Sequence, residues 1–343
     1  MNEIHNARRK KPLVSSKDVA KHAGVSQTTV SRVLNTPHLV KKPTVDKVMA
    51  SIDELNYIPN GHARSLVQNK TNTIALLSGP LHNPFFVDTT QAIVKYANDK
   101  GYRVNVQFVN DQKLNEAYAS AVENKVDGII MSCILIDDPI FEKFERMDLP
   151  FITYNRKHKM NKHFVEIDNF EAGYMSAKHM IELGHKEIAW IGGPLTVSTF
   201  NNRYDGFLQA MKDYKHPLSE DYVIQTDTSK QDITKAFNEM LALRQPPTAF
   251  CAATDSIAMN LIDDASKANL SVPNDLSVIG IDNVDITSHS LIQLTTIGSI
   301  SEQNLGYLAI RELIEMIENK KNSCVKITES VKVFNRNTTK AFQ

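Results

Sequence analysis

Gln27, Thr28, Ser31 and Arg32 bring an amide, two hydroxyls and a guanidinium into one short stretch of a 343-residue chain. These are the groups that hydrogen-bond base edges in a DNA major groove, the guanidinium to guanine and the amide to adenine. Their spacing points the same way. Val30, Val33 and Leu34 fall between them at i, i+3, i+4, so a helix here turns three apolar groups inward and leaves the polar four outside. Ser26 precedes the segment as an N-cap, its hydroxyl able to accept from an amide at the helix start. Gly24 supplies a tight turn where a positive φ is cheap. Val19, Ala20 and Ala23 give a first helix its small apolar face. A third helix from about Pro43 carries Val45, Val48, Met49, Ile52 and Leu55 at helical spacing and can roof the other two. A generic three-helix bundle with a polar face would share this pattern.

A second constellation follows in YIPNGHARSL, from Tyr57 to Leu66. Pro59 and Asn60 stop one element, and Asn60 can cap the next. Gly61–Gln68 then makes a helix of barely two turns, too short to be stable in water by itself. It carries Arg64, Ser65 and Leu66. An apolar tip on a short basic helix fits a wedge in a minor groove, where it can unstack a base step and kink the duplex. The alternative is an interdomain linker with Leu66 tucked against the rest of the chain.

After Thr71 the pattern changes. The apolar runs IALLSG, YRVNVQFV, DGIIMSC and PFITYN, then EIAWIGG, TAFCAATD and LSVIGIDN, alternate with helix-length amphipathic segments. Near-continuous apolar strands of this kind belong to parallel sheets covered on both faces. They form two groups, divided at about Asp168. The remainder adds LTTI, a helix from about Glu302 to Glu318, and VKITESVKVF, which can cross back to complete both groups. The expected architecture is a small all-α head on an α/β body of two doubly wound parallel-sheet lobes with a cleft between them. Ligands of such sheets bind beyond the carboxyl ends of the strands, and polar groups gather there: Asn83-Pro84-Phe85-Phe86, Tyr154-Asn155-Arg156, Thr254-Asp255 and Asp282-Asn283, with Arg203 in the helix after Gly193-Pro194. A carboxylate, a guanidinium, amides and an aromatic face suit a small polyhydroxylated ligand. Asn83 and Asp255 read better as helix caps, and Phe86 fits pocket wall and core equally.

Charge divides the chain. Residues 1–70 hold 12 Lys+Arg against 5 Asp+Glu, and the remainder 27 against 34, so a basic head joins an acidic body of equal and opposite balance. That directs polyanion binding to one end. Cys133, Cys251 and Cys324 lack metal-ligand spacing and read as reduced thiols. No apolar run approaches a membrane span, and MNEIHNARRKK has no apolar segment behind its charges, unlike a secretory signal. A cytoplasmic protein is expected. A sugar-binding transport component would share the body but would carry an export signal and no DNA-binding head. An enzyme would need a phosphate loop, a nucleophile elbow or a metal-spaced His pair, and none is evident. No enzyme activity, cofactor or metal is expected.

On these motifs the chain resembles the LacI/GalR (lactose-repressor) family of bacterial transcription regulators. AGVSQTTVSRVLN matches the family's helix–turn–helix and YIPNGHARSL its hinge helix, and the resemblance runs from about Val14 to the end. It implies a repressor acting as a homodimer on palindromic double-stranded operator DNA, controlled by a small-molecule effector, a sugar or sugar derivative, held between the lobes. It makes Gln27, Thr28 and Arg32 base readers and Leu66 the intercalating residue. Ser15, Ser26, Thr29, Ser31, Asn35, Tyr57, Asn60, Ala63 and Arg64 add phosphate or groove contacts. It assigns the effector to Phe85, Phe86, Asn155, Asn201, Arg203, Thr254 and Asp282. Asn201 departs from the family's type member, which has an inducer-binding arginine there. The implied layout is a disordered basic tail (1–13), a DNA-binding domain (14–58), a hinge (59–71) and an effector and dimerisation domain (72–343). Lobe 1 covers about 72–168 and 298–327, and lobe 2 about 169–297 and 328–343. No heptad-patterned extension argues for a tetramer, and a protein corepressor is left open.

Overall fold

In a computed structural model, the described residues are 14–58, 70–109, 114–147, 149–301, 303–319 and 324–342. The basic tail and four hinge residues, Asn60, Ala63, Arg64 and Leu66, lie outside them. The chain divides into two compact units, Met1–Thr71 and Asn72–Gln343.

In the first unit, α1 (Ser16–Ala23), α2 (Gln27–Asn35) and α3 (Lys42–Glu54) pack around Val19, Ala23, Val30, Val33, Val48 and Ile52. Burying each such valine contributes about 1.5–3 kcal/mol relative to exposure. Capping sets the corner between α1 and α2. Ser15 accepts from the Asp18 amide while the Asp18 carboxylate accepts from the Ser15 amide at 2.9 Å, a reciprocal capping box. Gly24 ends α1 at φ 62, a left-handed conformation that costs glycine little, and its N–H returns to Ala20 and Lys21. Ser26 Oγ accepts from the Thr29 amide at 3.1 Å and starts α2. Met49, expected in the roof, is exposed. It lies a helical step beyond the Val45–Val48–Ile52–Leu55 stripe, and that rotation takes it past the edge of the packed face.

The second unit has two six-stranded sheets. The first contains β1 (Thr73–Ser78), β2 (Arg103–Phe108), β3 (Gly128–Met131), β4 (Phe151–Tyr154), β5 (Phe164–Ile167) and β11 (Lys326–Glu329), in the order β11-β5-β4-β3-β1-β2. The second contains β6 (Ile188–Gly192), β7 (Val223–Gln225), β8 (Ala249–Ala252), β9 (Ser277–Ile281), β10 (Thr296–Ser299) and β12 (Val331–Phe334), in the order β12-β10-β9-β8-β6-β7. The winding is the same in both. Every pairing is parallel except β10 with the edge strand β12. The central strands are buried on both faces: Ile74 and Leu76 join one core cluster, Ala75 and Leu77 another. That is why they read as unbroken apolar runs.

The helices α4 (Pro84–Asp99), α5 (Leu114–Glu123), α6 (Ile140–Arg146), α7 (Asn169–Glu182), α8 (Ser198–Asp213), α9 (Lys230–Leu241), α10 (Asp255–Lys267) and α11 (Leu305–Asn319) connect the strands. Three backbone crossings join the lobes, after β5, after β10 and between β11 and β12. The middle crossing falls later than the boundary expected at residue 298, because Gly298 and Ser299 continue the β10 ladder opposite Lys332 and Val331.

Candidate functional site

On the first unit, Gln27, Thr28, Ser31 and Arg32 are all exposed on the outer face of α2, opposite the valines that hold it. Their neighbours already divide the work. Gln27 Nε2 donates to Ser16 Oγ at 2.9 Å, and Asn35 Nδ2 donates to Ser31 Oγ at 3.2 Å. The hydroxyls of Ser26 and Thr29 lie 2.8 Å apart at the helix start, so both serve the cap. The Thr28 and Arg32 side chains make no hydrogen bond among the described residues. Tyr57 is half-buried against the head core.

On the second unit, the sheet order reverses between β1 and β3 and between β6 and β8, which opens a crevice at the carboxyl ends of each sheet. A cleft of about 570 Å³, open solvent included, lies there between the lobes. Phe86, Asn83 and His82 enter it from the first lobe after β1, and Asn155 and Arg156 after β4. Thr199 and Phe200 enter from the second lobe after β6, Thr228 after β7, Thr254 and Ser256 after β8, and Asp282 after β9. Backbone links tie the lobes beside it. Lys157 N–H donates to Ser198 Oγ at 2.7 Å, Ile136 N–H to the Thr196 carbonyl at 3.1 Å, and Thr199 Oγ1 to the Asn155 carbonyl. Asp285 N–H donates to Asp88 Oδ2 at 3.1 Å.

The backbone at the cleft is strained. Asn155 has φ 63, Thr228 φ 66 and Asp282 φ 130. Such conformations cost on the order of 1–3 kcal/mol each and gather at binding sites. Asn155 Oδ1 is also buried without a hydrogen-bond partner among the described residues. A buried acceptor of this kind costs free energy until something donates to it.

Behind the lining sits a charge network. Arg203 is 0% exposed. It donates through Nη2 to Asp282 Oδ1 at 2.7 Å, through Nε to Asn169 Oδ1 at 2.9 Å and through Nη1 to the Ala253 carbonyl at 2.6 Å. Asp255, also buried, accepts from the Val284 amide at 3.0 Å and from the Thr296 hydroxyl. Burial pushes the Asp255 carboxyl up to about 7, and the charge of Asp282 adds to the rise. Burial also raises Asp282, against the opposing pull of Arg203.

Of the expected effector residues, Phe86, Asn155, Thr254 and Asp282 meet on the cleft lining. Thr254 also caps α10 through its hydroxyl. Phe85, Asn201 and Arg203 are not on it. Phe85 stacks on Tyr154 with ring centroids 6.3 Å apart, turned away from Phe86 by one helical step. Asn201 follows Phe200 on α8 and is turned off the lining in the same way. Arg203 touches the cleft through Asp282. Asn83 caps α4, as its position suggested, and lines the cleft as well. Sequence reasoning missed Phe200, although a signal was available: Gly193-Pro194-Leu195 repeats Gly79-Pro80-Leu81.

Comparison with known proteins extends these findings. Residues 16–60 match the model of bacterial regulatory proteins, lacI family, and residues 177–339 that of the periplasmic binding protein-like domain. The HTH-type transcriptional repressor PurR of Photorhabdus laumondii subsp. laumondii is 35% identical over 321 residues, which is 92% of this chain and 94% of that protein. PurR of Photobacterium profundum is 34% identical, over 90% of this chain and 93% of its own length. The lac repressor dimer bound to operator and the anti-inducer ONPF superposes with a TM-score of 0.82 at 26% identity, covering 96% of this chain and all of that one. A LacI family regulator from Enterococcus faecium, solved with bound ribose, superposes with a TM-score of 0.70 at 26% identity, over 79% of this chain and all of that one.

Proposed function

The chain belongs to the LacI family of bacterial regulatory proteins and is a DNA-binding transcriptional repressor, and from that premise we propose that a sugar or sugar derivative in the interlobe cleft controls its grip on DNA. The observation that carries this reading is the cleft lining. It sets Asp282 with its buried carboxylate, Asn155 with an amide oxygen that has no partner among the described residues, and the hydroxyl-bearing residues Thr199, Thr228, Thr254 and Ser256 around one space. Hydroxyl-rich ligands both donate and accept, as such a lining requires. The Enterococcus faecium regulator with its bound ribose supports a sugar in this fold.

The repressor acts as a homodimer on a palindromic operator, a reading that the lac repressor dimer on its operator supports. Gln27, Thr28 and Arg32 read bases from the exposed face of α2, and Ser15, Ser26 and Thr29 hold the helix ends that meet phosphates. Its place is the cytoplasm, where operator DNA is. Among the described residues no helix is long and apolar enough to cross a membrane.

The test joins two titrations on the full chain. A thermal-shift panel of D-glucose, D-galactose, D-ribose, their phosphates and free nucleobases finds compounds that raise the melting temperature by mass action. Each hit is then titrated into an operator complex. A sugar that changes operator affinity must have its own affinity changed by the same factor when operator is present. A panel in which only nucleobases act would remove the sugar reading. A panel in which hits raise the melting temperature without changing operator affinity would remove the effector reading.

A further inference from the structure

Two neighbouring backbone amides after β9 are held by carboxylates from different lobes. Val284 N–H donates to Asp255 Oδ2 at 3.0 Å, within the second lobe. Asp285 N–H donates to Asp88 Oδ2 at 3.1 Å, and Asp88 stands in α4 of the first lobe. Asp285 opens the 3-10 turn Asp285–Ser288, and the residue before it, Val284, offers no side-chain cap. Asp88 therefore caps that turn from the other lobe. The remaining interlobe hydrogen bonds described beside the cleft all join residues 136–157 to residues 196–199. The Asp88 contact stands apart from them and holds the segment that carries Asp282.

The same contact carries its own opposition. Asp88 is half-buried and Asp285 exposed. Among the described residues neither carboxylate has an ion-pair partner. Burial raises the Asp88 carboxyl; the Asp285 amide pulls it down, and the Asp285 charge pushes it up again. One residue thus attracts and repels the other. Its N–H donates to a charged acceptor, a stronger contact than a neutral one, while its carboxylate faces a like charge with no cation to offset the repulsion. The bond is formed in the structure, so the attraction exceeds the repulsion there.

We propose that Asp88 and Asp285 form a weak latch on the lobe angle, in which the amide bond draws the lobes together and the facing carboxylates press them apart. This rests on the reading above that the cleft controls operator binding. A latch so balanced leaves more than one lobe angle populated, and a ligand then shifts the equilibrium by its differential affinity for the two.

Substitution separates the two halves of the latch. D88A removes the acceptor and the interlobe bond with it. D285N keeps the N–H and removes the facing charge. Double electron–electron resonance on the full chain reads the lobe separation, with spin labels on K143C and K235C, exposed positions of α6 and α9, in a C324S background diluted with unlabelled chain. Circular dichroism and a urea midpoint check folding. D88A and D285N are expected to shift the distance distribution from wild type in opposite directions, and operator affinity likewise, each by about three-fold or more. Shifts in the same direction, or a wild-type distribution in either variant, overturn the latch. D285N lies at an exposed position and decides this even if D88A fails to fold. If the distributions separate as expected while operator affinity stays at the wild-type value in both variants, the latch stands and the cleft's control of operator binding fails.

Discussion

The head and the body of this repressor place their candidate binding side chains in opposite ways. In the head, Thr28 and Arg32 hang on the outside of α2, and the valines on the inner face of the same helix do all the packing. In the body, Asp282 and Arg203 are part of the packing: the pair lies at the meeting of β9, α8, α7 and the end of β8, with side chains 4% and 0% exposed. The head can therefore change the outer face of α2 without changing how it folds. The body cannot exchange its charged groups without disturbing its core. The candidate site and the packing are separable in one unit and joined in the other.

The sharpest way to break this comparison is Arg203→Met. Removing one member of a buried ion pair leaves the other charged and without its partner, which costs on the order of 3–5 kcal/mol. Urea denaturation followed by Trp190 fluorescence reads the second lobe, where that tryptophan is fully buried. A midpoint close to wild type would show that the network is dispensable and that the body is as separable as the head.

Next in size is a pH effect at Asp255. Its carboxyl sits at about 7 in the folded chain, well above the ordinary aspartate value of 3.8. Between those values the folded state holds a proton that the unfolded state has released, so this group makes stability fall as pH rises from about 4 to about 7. The fall is at most about 1.4 kcal/mol per pH unit. Asp255→Asn keeps an acceptor for the Val284 amide and removes the titration. The variant's stability should fall less steeply than wild type across that window in urea melts at several pH values. Parallel slopes would place the proton elsewhere.

How much of this was legible in the sequence follows the same division. The head could be read because its contacts are local: α1, α2 and α3 meet through residues a few turns apart, and the period of Val30, Val33 and Leu34 separates inside from outside. In the body the long apolar strands were legible for the same kind of reason. β5 and β7 were not: Glu166 interrupts the apolar run of β5, and β7 is three half-buried residues at a sheet edge. The partners of Arg203 were also beyond reach. Asn169, Ala253 and Asp282 come from three separate elements, and only the folded sheet ends bring them to one guanidinium. Adjacent helical residues were the remaining difficulty. Phe85 and Phe86, like Phe200 and Asn201, point apart by a helical step, which no spacing rule for a single residue resolves.

Smaller effects sharpen the head's side. Arg32→Ala should lose about 1–3 kcal/mol of operator binding per half-site, measured against random DNA at one fixed salt concentration. Its urea midpoint should stay within about 0.5 kcal/mol of wild type, since the side chain is exposed. Equal loss on both DNAs would make Arg32 a phosphate contact. Ser26→Ala is the smallest change, about 1 kcal/mol of head stability from the lost cap on the Thr29 amide. The thermal melt of the head should register it. An unchanged melt would mean that water replaces the hydroxyl at no cost.

The paired strands β11 and β12 near the end of the chain carry a consequence for how the protein is made. One completes the edge of the first sheet and the other covers β10 in the second. On the ribosome α1, α2 and α3 are all present once Tyr57 has emerged. The first sheet lacks its edge strand until Glu329 has followed and the second until Phe334, almost the whole length of the message later. Domains generally fold N-terminal first during synthesis. For much of its birth, then, the nascent repressor is a finished reading head trailing two unfinished sheets with open edges. Those edges are free to pair with another strand, and a chain stopped before Lys326 would carry its head and two incomplete sheets.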